Sequence, residues 1–153
     1  MSTTTDFLVN IRRIIKLHEN LLKEHICREY GLSPAEAAVI SFLHNNPGKD
    51  TAADIAELRM LPKGNVSQAV EGLFQKKLLH RQQDDKDRRK IHLFLTTSAE
   101  PITDSMDALW HDFRSRLFFG LTDEEISLYH HVSRQINKNA YRMFNEKGDE
   151  KNE

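Results

Sequence analysis

The chain has 153 residues, of which 39% are hydrophobic and 29% charged, and its formal net charge is −1. This length fits one domain or one compact subunit, and the near-neutral charge excludes a uniformly basic coat for nucleic acid but permits local patches. The apolar runs are too short for a transmembrane span. One cysteine allows no internal disulfide, and the N-terminus has no signal-peptide pattern, so the sequence predicts a cytoplasmic protein.

The first predicted element is a long helix over residues 6–29. Its apolar side chains recur every three or four residues, which is the helical period, and neither proline nor glycine occurs before Gly31. A second helix is predicted to begin after Ser33. Ser33 and Glu36 have the spacing of a capping box, and Pro34 stands at the first helical position, where its missing N–H is not needed.

A short helix over residues 51–58, a tight break and a second helix over residues 62–77 have the layout of a helix-turn-helix. Two predicted strands, residues 78–82 and 90–96, then flank a charged segment and form a hairpin. A helix-turn-helix followed by a two-stranded hairpin is a winged helix. The predicted fold class is therefore mainly α with a small β hairpin, and the winged-helix DNA-binding lobe covers residues 32–97.

Two further helices, residues 97–117 and from Thr122 to about residue 145, complete the chain, and residues 146–153 are predicted to be a disordered tail. The first and last helices carry long apolar stripes, more than a chain of this size needs for its own core. This favours dimerisation helices over residues 6–30 and 98–145 of a single 1–153 subunit. The alternative, that these helices pack only within the chain, is left open at this point.

The start of the fourth helix, PKGNVSQ, carries the side chains expected of a recognition helix. In a winged helix this end enters the major groove first. Lys63 and the free backbone N–H groups suit phosphate, Asn65 and Gln68 suit the edge of adenine, and Ser67 can bond several base edges. Any exposed helix start is polar, so this pattern alone is a weak indication of DNA binding.

The charged segment between the strands gives the stronger indication. Residues 61–90 contain eight Lys or Arg and four acidic residues, a local balance of +4 in a chain whose total is −1. Basic side chains at a wing tip can reach phosphates or the adjacent minor groove; the candidates are Lys86, Arg88, Arg89 and Lys90. Asp87 is expected to accept hydrogen bonds in the turn and to orient the guanidinium of Arg89. Which of Arg88 and Arg89 enters the groove stays open.

The segments LSPAEAAVISFL, TAADIAEL and LPKGNVSQAVEGLFQKKLLHRQQDDKDRRKIHLFLT, with the two trailing helices, resemble the MarR family of winged-helix transcription regulators. The resemblance covers residues 6–145, and its most specific part is the Asp–x–Arg pattern of Asp87 and Arg89. It implies a homodimer joined by the first and last helices, with Arg89 in the minor groove and helix 62–76 in the major groove. Two residues depart from the family pattern. Lys77 replaces a common glycine and implies a modestly different turn, and Gly64 replaces a small polar residue, which makes base contact there doubtful.

The resulting hypothesis is a homodimeric, sequence-specific regulator of double-stranded DNA, expected to be a repressor of a pseudo-palindromic operator and to be released by a small effector. Trp110, Phe113 and His18 form the candidate pocket for an apolar or aromatic effector. Neither a cofactor nor a metal site is predicted, and no catalytic motif is present, so an enzyme is not expected. Two alternatives remain: a regulator of the same fold that senses metal or oxidant through histidines or Cys27, and a winged helix that binds protein.

Overall fold

The structure, a computed structural model, describes residues 3–149. Within that range the chain order is α1 (Thr3–Leu22), a π-helical turn (Lys23–Cys27), α2 (Arg28–Tyr30), α3 (Pro34–Asn45), α4 (Ala52–Leu58), α5 (Lys63–Gln75), β1 (Leu79–Gln83), β2 (Ile91–Leu95), a 3₁₀ turn (Thr97–Ala99), α6 (Glu100–Leu117) and α7 (Asp123–Asp149). The predicted fold class, mainly α with one hairpin, is confirmed. No helix among these residues is both long and apolar enough to cross a membrane.

The chain forms two compact units, the first ending at Phe113 and the second beginning at Arg114. The core of the first unit is built around fully buried side chains from several elements: Ile26, Ile40, Phe42, Ile55, Leu73 and Leu79. Ile26 precedes the predicted lobe 32–97, while Ile102 and Met106 of α6 follow it, and all three are buried in the same core. The winged-helix lobe therefore shares its core with the end of the first helical segment and with part of α6.

The first helical segment contains a π-helical turn that periodicity did not predict. The N–H of Arg28 donates to the carbonyl of Lys23, five residues earlier instead of four. The segment then ends at Gly31, whose φ of 63° is the left-handed conformation that glycine favours at a helix C-terminus. The predicted extent of the helix is thus confirmed, with one extra residue inserted into its last turns.

Capping boxes fix the starts of α3 and α4. Ser33 and Glu36 form the predicted box, with Ser33 Oγ accepting the N–H of Glu36 at 3.1 Å. Thr51 caps α4, in a box with Asp54. Each box satisfies two backbone N–H groups that the helix itself leaves without partners.

Glu36 also joins α3 to α5. Its carboxylate is buried and accepts the ammonium of Lys76 at 2.6 Å. A Cβ on Gly72 would collide with the same carboxylate, so the glycine provides the space that Glu36 occupies. One carboxylate thereby caps α3, pairs with a cation at the end of α5, and sets how closely the two helices pack.

β1 begins and ends one residue later than predicted, and β2 is one residue shorter than predicted at each end. β1 pairs antiparallel with β2 in a register that places Leu79 opposite Leu95 and Gln83 opposite Ile91. Leu93 is buried, but Ile91 is 45% exposed, because it lies at the open end where the loop leaves the core. The side chains of β2 therefore alternate between core and solvent only in its second half.

Lys77, the residue before the hairpin, has a φ of 59°. This is the left-handed conformation that glycine adopts without strain. The lysine is thus held in a glycine-like backbone by its surroundings: its N–H donates to the carbonyl of Phe74, and its carbonyl accepts the hydroxyl of Thr96 at 2.7 Å. The expected change in the turn is not needed to accommodate Lys77.

α7 extends to Asp149 and includes the first part of the predicted tail 146–153. Glu146 is a good helix former and no proline interrupts the segment, so the helix continues past the last apolar position. Residues 150–153 of that prediction lie outside the described residues. A capping box of Thr122 and Glu125 fixes the start of α7 at the predicted position.

Candidate nucleic-acid interface

The outer face of α5 is polar from its first turn onward. Lys63, Asn65, Ser67 and Gln68, the four predicted contacts, are all exposed, while Val66, Ala69, Val70 and Leu73 point into the core. The N-cap residue of α5 is Pro62, whose side chain makes no capping hydrogen bond. The first N–H groups and the positive end of the helix dipole are therefore available to an anion.

Gly64 lies on this outer face, and nothing in the fold requires a glycine there. Its backbone is helical, and a Cβ would meet no described atom within 4 Å. Glycine weakens a helix relative to alanine. The space outside Gly64 is therefore open to a partner that approaches the backbone closely.

Asp84, which sequence reasoning did not single out, organises the loop between the strands. Its Oδ1 accepts the backbone N–H groups of Lys86 at 2.8 Å and Asp87 at 3.0 Å, and its Oδ2 lies 2.9 Å from His92 Nε2. These contacts hold the pKa of Asp84 well below its usual range, with the His92 hydrogen bond as the largest cause. The signal in the sequence was an Asp followed by two non-proline residues in a tight turn, the pattern of an Asx turn.

Asp87 acts on the backbone and not on a guanidinium. Its Oδ1 accepts the N–H of Arg89 at 3.0 Å, and its carbonyl accepts the N–H of Lys90 at 2.9 Å. Gln83 adds a bond from its side-chain amide to the carbonyl of Arg88 at 2.9 Å. The carboxylate of Asp87 therefore holds the backbone of the turn at Arg89, and the orientation of the Arg89 guanidinium stays a prediction.

The basic side chains that the loop presents are exposed and available. Among residues 3–149, no ion pair is formed by Lys63, Lys86, Arg88, Arg89 or Lys90. Two other cations of the same lobe are occupied: Lys76 pairs with Glu36, and Arg81 pairs with Glu71 at 2.6 Å. Of the six cations among residues 61–90 that form no ion pair, five lie at the start of α5 or in the loop, and the sixth is Lys77.

Arg81, also missed by sequence reasoning, braces the hairpin against α5. Its guanidinium lies 4.5 Å from the centroid of the Phe74 ring and donates to the carboxylate of Glu71. Both partners are on α5, and Arg81 is on β1. A cation held by a ring and a carboxylate at once has few alternative positions. Since Arg81 joins β1 to α5, it links the hairpin to the exposed face of the helix.

His92 joins the loop to the segment before α4. Its Nδ1 lies 2.6 Å from Asp50 Oδ1 and its Nε2 2.9 Å from Asp84 Oδ2. These two carboxylates raise the pKa of His92, with the Asp50 hydrogen bond as the larger cause. No local pattern in the sequence predicts this contact, because Asp50 is 42 residues away along the chain.

The candidate effector residues form a ring cluster inside the first unit. The ring of His18 lies 5.5 Å from that of Trp110 and 5.6 Å from that of Phe113, measured between centroids. Phe113 is buried, whereas Trp110 is 50% exposed. Burial, followed by the charge of Arg59, lowers the pKa of His18, so its ring is neutral at neutral pH. The three predicted residues are thus brought together, with the Trp110 side chain half-exposed.

Cys27 is buried, and burial is the largest cause that raises the pKa of its thiol, followed by the charge of Glu36. A raised pKa disfavours the thiolate that reacts with oxidants. Within the described part of the chain, no group of three or more His, Cys, Asp or Glu is arranged to hold a metal ion. Asp107 contacts His44 at 3.0 Å.

Comparison with known proteins places this arrangement in one family. Residues 30–90 match the model of the MarR family. The chain is 30% identical over 121 residues to an uncharacterised HTH-type transcriptional regulator of Bacillus subtilis, YkoM, covering 76% of this chain and 77% of that protein.

Solved structures agree with that match. A MarR transcriptional regulator from Methanosarcina mazei superposes with a TM-score of 0.76 at 17% identity, over 90% of this chain and 99% of the other. BpsR of Bordetella bronchiseptica, whose DNA binding is regulated by 6-hydroxynicotinic acid, superposes with a TM-score of 0.67 at 22% identity, over 86% and 98% of the two chains. The sequence match and the shared winged-helix fold together show that this chain belongs to the MarR family of transcription regulators.

Proposed function

We propose that this regulator is a homodimeric repressor that binds a pseudo-palindromic operator in double-stranded DNA and is released by a small aromatic effector. The observation that carries the proposal is that the loop 84–90 and the polar start of α5 both present exposed cations that form no ion pair among residues 3–149. Arg81 holds β1, the strand that leads into the loop, against α5. A surface of this kind suits a groove and its flanking phosphates.

In this proposal α5 reads the major groove, and the loop 84–90 reaches the adjacent minor groove. Lys63 and the free N–H groups of the first turn contact phosphate, whereas Asn65, Ser67 and Gln68 face base edges. The loop cations, Lys86, Arg88, Arg89 and Lys90, contact the minor groove or the phosphates beside it. The Asp87 bond to the backbone of Arg89 fixes where that side chain leaves the loop.

The homodimer is supported by apolar faces that the single chain leaves open. α1 has no buried residue, and its exposed apolar side chains include Phe7, Leu8, Ile11 and Ile15. α7 exposes a second set: Leu128, Val132, Ile136, Tyr141, Met143 and Phe144. Faces of this extent are rare on the free surface of a monomer. In a two-fold dimer, two α5 helices would meet half-sites about one DNA turn apart, ~34–36 Å.

An aromatic effector is supported by the half-exposed Trp110 and by Arg59, whose charge acts on His18 of the same cluster. The guanidinium of Arg59 donates to Ser41 Oγ at 3.1 Å, and no carboxylate among residues 3–149 pairs with it. A planar ring could stack on Trp110, and a carboxylate on that ring would pair with the guanidinium of Arg59. The regulation of BpsR by 6-hydroxynicotinic acid supports the same class of compound.

The first experiment selects bound DNA from a random library and then measures affinity for the selected site as salt is varied. Phosphate contacts release counterions, so the affinity should fall steeply with salt. Arg89→Ala should weaken binding by about tenfold or more while the dimer stays intact, since one charged groove contact is lost. Lys23→Ala removes a charge from the exposed π turn and is the matched control, expected to bind as wild type does.

Two results would contradict this assignment. Equal affinity of Arg89→Ala and wild type would remove Arg89 from the interface, and the same comparison for Arg88→Ala shows which arginine enters the groove. A flat salt response with no enriched sequence would favour the alternative of a protein-binding winged helix. The polar outer face of α5 already argues against that alternative, which expects an apolar one.

Gln68→Ala tests base reading separately from affinity. A bidentate amide contact to adenine discriminates by about 1–3 kcal/mol. The variant should therefore enrich a broader set of sequences at one position of each half-site, with a smaller change in total binding. An unchanged preference across the library would assign Gln68 to positioning alone.

The effector class can be tested with the chain's single tryptophan. Benzoate, salicylate and 6-hydroxynicotinic acid should change the fluorescence of Trp110 and release the operator, whereas cyclohexanecarboxylate, with the same charge and no aromatic ring, should not. Arg59→Gln should weaken the response to the acids but not to uncharged phenols. Operator release without any fluorescence change would locate the effector elsewhere. The buried thiol of Cys27 gives no support to an oxidant as the signal.

A further inference from the structure

The bridge made by His92 has a geometry that only one protonation state satisfies. Both of its ring nitrogens face a carboxylate oxygen, Asp50 on one side and Asp84 on the other, at 2.6 and 2.9 Å. An ionised carboxylate only accepts hydrogen bonds, and a neutral imidazole can donate from one nitrogen only. Two such bonds at once require the imidazolium, which donates from both.

The two carboxylates belong to different parts of the winged helix. Asp50 immediately precedes Thr51, the cap of α4, and its carbonyl also accepts the N–H of Leu93 at 2.7 Å. Asp84 opens the charged loop and holds two of its backbone N–H groups. The imidazolium therefore connects the first helix of the helix-turn-helix to the loop that presents Lys86–Lys90.

The charged surroundings of His92 are these two acids and, further out, a small set of cations. Asp54, in the first turn of α4, experiences the positive charges of Lys49 and Lys90. Its carboxylate accepts a hydrogen bond from the hydroxyl of Thr51. Across the hairpin His92 faces the neutral Gln82, and its ring also approaches that of Phe94. The net effect on His92 is a stabilised positive charge.

We propose that His92 is a positioning residue for DNA binding: as the imidazolium it holds the loop 84–90 against the helix-turn-helix, and on losing a proton it releases the loop. This inference rests on the proposed function, because it assumes that the loop contacts DNA. The consequence is a regulator that binds its operator more tightly at mildly acidic than at alkaline pH.

The direction of the effect follows from the raised pKa of His92. A group whose pKa is higher in the folded protein contributes its full stabilisation when the pH is below its ordinary pKa, which is ~6.5 for histidine. That contribution is lost as pH rises through the raised pKa. The loop should therefore be ordered at about pH 6 and progressively freed at higher pH.

The test has one readout that needs no DNA. Hydrogen-exchange protection of loop amides, corrected for the intrinsic effect of pH on exchange, is measured from about pH 6 to pH 8.5 on the full chain. Protection should fall with pH in wild type and be low at every pH in His92→Gln, which keeps a hydrogen-bonding amide but cannot be charged. His80→Gln, on the paired strand, is the matched control and should keep the wild-type profile.

The second readout is operator affinity at constant ionic strength over the same pH range. As pH rises over this range, the operator affinity of wild type and of His80→Gln should fall by about threefold to tenfold, the loss expected for one charge-assisted hydrogen bond. The operator affinity of His92→Gln should be low and independent of pH. Loop protection that does not change with pH, or that is unchanged in His92→Gln, would overturn the inference even if DNA binding is intact. Wild-type protein that binds no DNA at any pH would instead overturn the proposed function.

Discussion

At the scale of single residues, the backbone of Lys77 is the least expected feature of the winged helix. A residue with a side chain adopts φ of 59° only where its neighbours hold it, and the left-handed region costs such a residue roughly 1–2 kcal/mol. The hydrogen bonds to Phe74 and Thr96 keep Lys77 in place because they close the turn into β1. The strain is local and can be removed without disturbing a packed side chain, since Lys77 is exposed.

Lys77→Gly should therefore stabilise the protein, by about 1 kcal/mol after the greater freedom of glycine in the unfolded chain is subtracted. Thermal or denaturant unfolding at fixed protein concentration measures the gain. Lys77→Ala removes the same side chain without relieving the backbone and should give no gain. A stabilisation of equal size in both variants would trace the effect to the lysine side chain instead of to φ.

Gly64 should show stability and binding moving in opposite directions. Gly64→Ala places a methyl group in open space on a helix and should stabilise folding by up to about 1 kcal/mol. The same methyl group would separate the start of α5 from DNA and lower operator affinity. Unfolding and binding measured on one preparation decide this, and a variant that is more stable and binds equally well would show that Gly64 does not face the DNA backbone.

At the scale of the elements, the contact between α3 and α5 depends on one carboxylate and one missing side chain. Gly72→Ala should destabilise the protein by about 1–2 kcal/mol, although alanine is the better helix former, because its Cβ would displace Glu36 from the cap and from Lys76. The matched test is the same substitution in a Glu36→Ala background. There the obstacle is gone, so Gly72→Ala should become neutral or stabilising; a loss of equal size in both backgrounds would rule out Glu36 as the cause.

Local signals predicted the elements well, and long-range contacts account for what was missed. The capping boxes at Ser33, Thr51 and Thr122 are patterns within four residues, so the sequence displays them directly. The contacts of Arg81 with Phe74 and of His92 with Asp50 depend on the folded path of the chain. The role of Asp87 was partly predicted for the same reason: its bond to the N–H two residues later is local, whereas the direction of an exposed guanidinium is not.

At the scale of the whole molecule, the apolar face of α7 makes the oligomeric state a strong test of the proposed dimer. Ile136→Glu introduces a charge on that face and should give a monomer by light scattering or sedimentation, together with a large loss of operator affinity, since two half-sites can no longer be bound at once. Lys138→Glu changes a nearby exposed residue of the same helix and should remain dimeric. A dimer that persists in Ile136→Glu would place the interface away from the middle of α7.

The π-helical turn at Lys23–Cys27 has a consequence for how this chain tolerates changes in length. It accommodates one more residue in a turn than an α-helix does, so removing one residue there can restore regular geometry while α1 and the buried Ile26 keep their rotational phase. The same deletion in the middle of α1 would rotate everything beyond it by ~100°, since an α-helix has 3.6 residues per turn. Insertions and deletions among relatives should therefore collect at residues 23–27, which makes this turn a natural place to align sequences of unequal length.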